Sequence, residues 1–179
     1  DAIYIALKAL GISSGDEVIT VSNTWISTAE TITQAGATPI FIDVDKFYNI
    51  DVSKIEQKIN KNTKAIIAVH LYGLPSKIKE ISQICKKYNL KLIEDCAQAH
   101  LAEYNNKLVG TYGDIATFSF FPGKNLGAYG DAGAIITDNS DYADFCRKFS
   151  NHGSLIKHKH VMEGINSRLD GLQAAILSV

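Results

Sequence analysis

Short apolar runs alternate with amphipathic stretches along this chain, in units of roughly 25–30 residues. That alternation is the strongest constraint on the fold. Lys64-Ala-Ile-Ile-Ala-Val69 is a continuous apolar run, the pattern of a strand covered on both faces. Ser76 to Tyr88 follows, with Ile78, Ile81, Ile84 and Cys85 on one helical face, and then a second strand, Lys91–Asp95. Further strands are expected at Glu17–Val21, Thr38–Asp43, 114–119 and 132–137. Helices are expected at 2–10, closed by Gly11, and from about Trp25 to Gln34, capped by Thr24 and ended by Gly36. More helices are expected from Asp51 or Ser53 to about Ile59, from Asp141 to Ser150, and from near Ser167. Residues 151–167, polar and rich in His and Lys, read as an ordered loop. Strand and helix in this order predict a mostly parallel sheet flanked by helices on both faces. Ligands of such α/β sheets bind outside the carboxyl ends of the strands.

Polar residues collect where those ends should lie. His70 follows the third strand, Asp95 ends the fourth and Ser119 ends the fifth. Beyond Ser119, Phe-Phe-Pro-Gly-Lys124-Asn-Leu-Gly is a Gly/Pro-punctuated loop between two apolar strands. A lysine held in a cleft there would be desolvated, which lowers its pKa from about 10.4. The neutral amine is the form that adds to a carbonyl. A pyridine-ring cofactor that acts as an electron sink needs such a lysine as a tether. It also needs an acid, here Asp95, to keep the ring nitrogen protonated. Each residue also has a plainer reading. Asp95 could cap a helix, Ser119 could be an ordinary strand-end serine, and Trp25 could be a core tryptophan rather than a ring stacked on a cofactor.

Composition narrows the classes. The chain has 179 residues with a net charge of -1, so it lacks the basic footprint of a nucleic-acid binder. No apolar run approaches the roughly 20 residues of a membrane span. Cys85, Cys96 and Cys146 are odd in number and widely spaced, which suits buried free thiols and a reducing cytoplasm better than disulfides. His158 and His160 lie in a charged loop and do not make a metal set. Gly123-Lys124 is followed by Asn125, so the phosphate-binding loop Gly-x4-Gly-Lys-Ser/Thr is absent, as is Gly-x-Gly-x-x-Gly.

Several segments together resemble the DegT/DnrJ/StrS family of nucleotide-sugar aminotransferases, in its order and over nearly the whole chain. They are Asp16–Trp25, Val69-His-Leu-Tyr-Gly-Leu-Pro75, Ile93-Glu-Asp-Cys-Ala-Gln-Ala-His100, Phe118–Gly127 and Asn166–Leu177. The resemblance implies the large domain of a fold-type-I aminotransferase that uses pyridoxal 5′-phosphate (PLP). It implies that Lys124 tethers the cofactor and moves the proton, and that Asp95 meets the pyridine nitrogen. Gln98 would meet the phenolate oxygen, Trp25 would stack on the ring and Ser119 would bind the phosphate. The backbone amides of Asp1 and Ala2, at a helix start, would join it there, with Asn166 reaching the phosphate of a neighbouring subunit. His100 is the expected substrate contact.

The implied reaction takes an amino group from L-glutamate to a keto group of a nucleotide-linked deoxysugar. A dTDP-3-keto-6-deoxyhexose is favoured, with amination at carbon 4 or a non-catalytic regulatory relative as alternatives. The implied assembly is a homodimer with shared sites. A related group of sugar dehydratases has histidine at the lysine position, so Lys124 favours transamination. Leu101 departs from the glycine common at its position. Residues 1–179 are expected to be a PLP-binding large domain truncated at both ends, without the family's smaller C-terminal domain.

Overall fold

The computed structural model describes all 179 residues. In chain order the elements are α1 (Ala2–Ala9), β1 (Glu17–Val21), α2 (Ile26–Gln34), β2 (Thr38–Ile42), β3 (Thr63–Val69), α3 (Ile78–Tyr88) and β4 (Lys91–Asp95). They continue with β5 (Glu103–Tyr104), β6 (Lys107–Leu108), β7 (Ile115–Ser119), β8 (Gly133–Ile136), α4 (Ser140–Phe149) and α5 (Gly171–Leu177). Six strands form one sheet in the order β2-β1-β3-β4-β7-β8, while β5 and β6 make a separate hairpin. All pairings in the large sheet are parallel except β7 with β8. The expected mostly parallel architecture is therefore present, with one antiparallel edge.

The apolar run of β3 lies in the middle of the sheet, and Ala65, Ile66, Ile67 and Ala68 are completely buried. Two-sided burial is what a continuous apolar strand requires. α3 covers one face with Ile78, Ile81, Ile84 and Cys85 buried, as its spacing predicted. Each isoleucine so buried stabilises the fold by about 1.5–3 kcal/mol relative to an exposed one. All three cysteines are free and buried. No helix is long and apolar enough to cross a membrane.

Four local expectations fail, the first being the last helix, which starts at Gly171 rather than near Ser167 because Asp170 caps it by accepting from the Gln173 N–H at 2.9 Å. The stretch 51–59 forms two single turns of 3-10 helix, Val52–Lys54 and Glu56–Lys58. Asp51 caps the first by accepting from the Ser53 N–H at 3.1 Å, and the span before β3 is short, which is where 3-10 turns are used. α3 begins at Ile78, because Ser76 turns inward, donating its N–H to His70 Nδ1 and its hydroxyl to the Val69 carbonyl. Trp25 rather than Thr24 holds the cap position of α2. The β5–β6 hairpin was not foreseen. Asn105 and Asn106 both adopt positive φ, at 50° and 59°, the conformation of a two-residue hairpin turn.

Candidate functional site

The parallel strands β3, β4 and β7 end on the same edge of the sheet and deliver His70, Asp95 and Ser119 to it. Two cavities lie there. The larger, of about 1240 Å³, is lined among others by Asp1, Ala2, Trp25, Asp95, Ser119, Lys124 and Asn166. The smaller, of about 700 Å³, is lined by Gln98, His100 and again Lys124. Residues from both ends and the middle of the chain thus converge on one edge, and Lys124 faces both spaces.

Asp95 is 6% exposed. One carboxylate oxygen accepts from the Ala97 N–H at 3.0 Å, and the other from the Thr28 hydroxyl at a long 3.4 Å. No helix follows Asp95, so the helix-capping reading fails: one oxygen caps a turn, and the second is left with a weak donor. Burial pushes its carboxyl above the usual range, against the Ala97 amide and the nearby His70 and Lys124. A buried carboxylate so poorly supplied fits a cationic ring N–H, which would supply the missing donor and countercharge.

The adjacent carboxylate shows the contrast. Glu94, fully buried, accepts from His70 Nε2 at 3.1 Å and from the N–H groups of Gly110, Tyr112 and Gly113 at 2.8, 2.7 and 2.7 Å. Desolvation works to raise its pKa, but His70 and these amides outweigh it and hold the carboxyl below the ordinary range. Because His70 Nδ1 accepts from the Ser76 N–H, its Nε2 carries the proton donated to Glu94. His70, Glu94 and Cys96 lie together, but these hydrogen bonds already occupy both ring nitrogens and both carboxylate oxygens.

Ser119 Oγ accepts from the Phe121 N–H at 3.3 Å as the chain leaves β7. The loop then closes through Lys124 N–H to the Phe121 carbonyl and Ala128 N–H to the Phe120 carbonyl, both 2.8 Å. A Cβ on Gly127 would sit 2.6 Å from the Pro122 carbonyl oxygen, so only glycine permits this fold-back. Lys124 is half-buried.

Gln98 Oε1 accepts from the Tyr72 N–H at 2.8 Å, which leaves its NH2 group as the free, donating end. Tyr72 is itself left-handed, with φ 56°. Trp25 is 76% exposed, which removes the core reading and leaves a bare indole on the larger cavity. His100 Nδ1 bonds Asn125 Oδ1 at 3.0 Å, and its ring lies 5.6 Å from those of Phe118 and Phe120. Its Nε2 is buried without a partner. Asn166 sits in the loop before α5, paired with Asn151 across an isolated bridge. Leu101 has φ 60° and is 85% exposed. A glycine would take that backbone without strain, so the departure costs roughly 1–2 kcal/mol and leaves the cavity wall intact.

Sequence reasoning missed Glu94, Thr28 and the role of Tyr72. Only Glu94 left a signal, an ionisable residue in the middle of an apolar run.

A mostly parallel α/β sheet flanked by helices, with a lysine and a buried acid at its carboxyl edge, is the architecture of the fold-type-I aminotransferases. The chain belongs to the DegT/DnrJ/EryC1/StrS aminotransferase family, which matches residues 1–179. That family is PLP-dependent.

The chain is 53% identical over 180 residues to the dTDP-3-amino-3,6-dideoxy-alpha-D-galactopyranose transaminase of Aneurinibacillus thermoaerophilus, covering 100% of this chain and 50% of that protein. It is equally 53% identical over 180 residues to the "pleiotropic regulatory protein" of Geobacillus stearothermophilus, covering 100% and 48%. The crystal structure of NtdA from Bacillus subtilis, with its cofactor PMP bound, superimposes with a TM-score of 0.93 at 44% identity. That match covers 98% of this chain and 40% of that one. The chain thus spans about half the length of the curated relatives it matches.

Proposed function

We propose that the protein carrying this chain is a PLP-dependent sugar aminotransferase that moves an amino group from L-glutamate to a keto group of a nucleotide-linked deoxysugar. The observation that supports it most is the placement of Lys124 and Asp95 on one cavity, with Asp95 short of a donor. PLP, when bound, supplies an electron sink for the charge left as a proton leaves the amino-bearing carbon. Asp95 holds the ring nitrogen protonated. Lys124 Nζ would tether the cofactor and is the group placed to take up and return the proton that leaves the amino-bearing carbon. The Gln98 NH2 donates to the phenolate oxygen, and the Trp25 indole covers the ring. The Ser119 hydroxyl and the amides of Asp1 and Ala2 hold the phosphate; Asn166, which lines the larger cavity of its own chain, is proposed to reach the phosphate of a neighbouring subunit in a homodimer with shared sites. His100, facing the smaller cavity beside Lys124, is the substrate-side contact.

The relative from A. thermoaerophilus supports a dTDP-3-keto-6-deoxyhexose as acceptor. We assign residues 1–179 to the PLP-binding large domain, with a smaller C-terminal domain elsewhere in the protein. The buried free thiols suit a reducing compartment, the cytoplasm.

Borohydride reduction of the full-length protein with PLP, followed by peptide mapping, should label Lys124. Lys124→Ala should lose both the label and the visible absorbance. A wild type that is colourless and indifferent to PLP overturns the proposal. The name of the G. stearothermophilus relative favours one second reading, a regulatory protein that binds PLP without turnover. Conversion of the bound cofactor to its pyridoxamine form by glutamate separates the two. A panel of 3- and 4-keto sugar nucleotides then assigns the carbon.

A further inference from the structure

The first turn of α2 does two things at the larger cavity. It presents the Trp25 indole outward and turns the Thr28 hydroxyl inward, where Thr28 is 1% exposed. Thr28 Oγ1 lies 3.4 Å from Asp95 Oδ2 and 2.9 Å from Oγ1 of Thr24, which precedes the helix cap. When Asp95 is ionised it only accepts, and the Thr28 proton then points to it. The Thr28 oxygen is then free to accept the Thr24 proton, and the two hydroxyls form a directed chain ending on the carboxylate. Such chains polarise, and each member strengthens the next.

We propose that Thr28, primed by Thr24, is a positioning residue for Asp95: its hydroxyl fixes the second carboxylate oxygen and favours the charged form that must face a ring N–H. The inference rests on the PLP reading of this cavity.

The other oxygen is already fixed by the Ala97 amide. Without Thr28 the carboxylate would have one protein donor and be free to pivot about it. The titratable side chains facing Asp95 are His70, from the turn after β3, and Lys124, from the loop after β7. The carboxylate of Glu94 alternates to the opposite face of the strand, where it is occupied by its own four donors. His70 is committed to Glu94 and the Ser76 amide. Lys124 is needed elsewhere once it tethers the cofactor. Thr28 is thus the side-chain donor left to Asp95 during the reaction.

The test uses Thr28→Val, which keeps shape and removes the hydroxyl, with Thr28→Ser and Thr24→Val, all in the full-length protein. Two readouts are taken: the carboxyl carbon-13 NMR titration of Asp95 in the ligand-free protein, and the PLP dissociation constant with the pH dependence of the bound cofactor's visible spectrum. Thr28→Val should move the Asp95 titration to higher pH and weaken PLP about threefold, the scale of an ordinary hydrogen bond, because the 3.4 Å contact is long. Thr28→Ser should restore both. Thr24→Val should shift both in the same direction by less, and it carries the test if Thr28→Val does not fold. An unmoved Asp95 titration in Thr28→Val, or in Thr24→Val should that variant carry the test, overturns the proposal while leaving the PLP reading intact. A wild type that fails to bind PLP while the titration still moves overturns the PLP reading and leaves the hydroxyl chain in place. A serine that does not restore either readout overturns the proposal.

Discussion

Glu94→Gln tests how the floor of the site is built. The substitution keeps size and shape but replaces one acceptor oxygen with an NH2 group. Glu94 Oε1 accepts from the Tyr112 and Gly113 amides, and Oε2 from the Gly110 amide and His70 Nε2. Glutamine can keep one of these pairs. If it keeps the first, its NH2 faces the Gly110 N–H and the His70 N–H. The histidine cannot escape by changing tautomer, because its Nδ1 already accepts from the Ser76 amide. Two buried donors are therefore stranded, and the two surviving bonds lose their charge assistance. With about 1–3 kcal/mol for each stranded donor and somewhat less for each weakened bond, the loss is roughly 3–7 kcal/mol. That is a large part of the total stability of an ordinary domain.

Urea unfolding of the ligand-free protein at pH 7 reads this directly. Hydrogen exchange at Gly110, Tyr112 and Gly113 localises it. Glu56→Gln, which alters an exposed pair with Lys87, is the control and should leave the midpoint close to wild type. The sign with pH is also set. The Glu94 carboxyl is held below its ordinary range, so its contribution is present above the unfolded carboxyl range and disappears as pH falls through the folded value. The gap between wild type and variant should therefore close in acid. A loss below about 1 kcal/mol at pH 7, less than a single stranded donor, would refute the reasoning.

The neighbouring acid behaves in the opposite sense. Asp95 is raised by burial, so the stability its protonated form provides is lost as pH rises from the unfolded carboxyl value through the folded one. Asp95→Asn should then make the ligand-free protein more stable at neutral pH and flatten this part of its pH profile, while cofactor retention falls; thermal melts with and without PLP check both. At Gly153, φ is 73° and an added Cβ would lie 1.7 Å from the Met162 carbonyl oxygen. Gly153→Ala should therefore open the 151–167 loop at a cost above about 2 kcal/mol and disorder the segment bearing Asn166, seen as faster proteolysis there.

Most of the scaffold was legible from short-range pattern. β1 and β4 begin and end where their apolar runs predict, and the buried face of α3 is the one its spacing gave. Periodicity failed where side chains outbid it: Ser76 pulls the start of α3 back to Ile78, and Asn105-Asn106 turns a polar stretch into a hairpin. At the site, Lys124 stood out because its Gly/Pro loop joins two apolar runs, although the second, β8, forms the sheet edge, and Asp95 because it ends a buried strand. Thr28 carried no signal, since a threonine in the first turn of a helix is ordinary.

The amino-acid order alone determined the alternating α/β core, the loop that bears Lys124 and the family, because these rest on neighbours along the chain. Only the tertiary structure decided which carboxylate is satisfied and which is left short of donors. Glu94 and Asp95 are adjacent on one strand, yet the pleat sends them to opposite sides. One meets three amides from the turn before β7, and the other meets a single amide and a hydroxyl 67 positions away. Which partners each finds is set by strand register and helix packing, and neither is written in the local sequence.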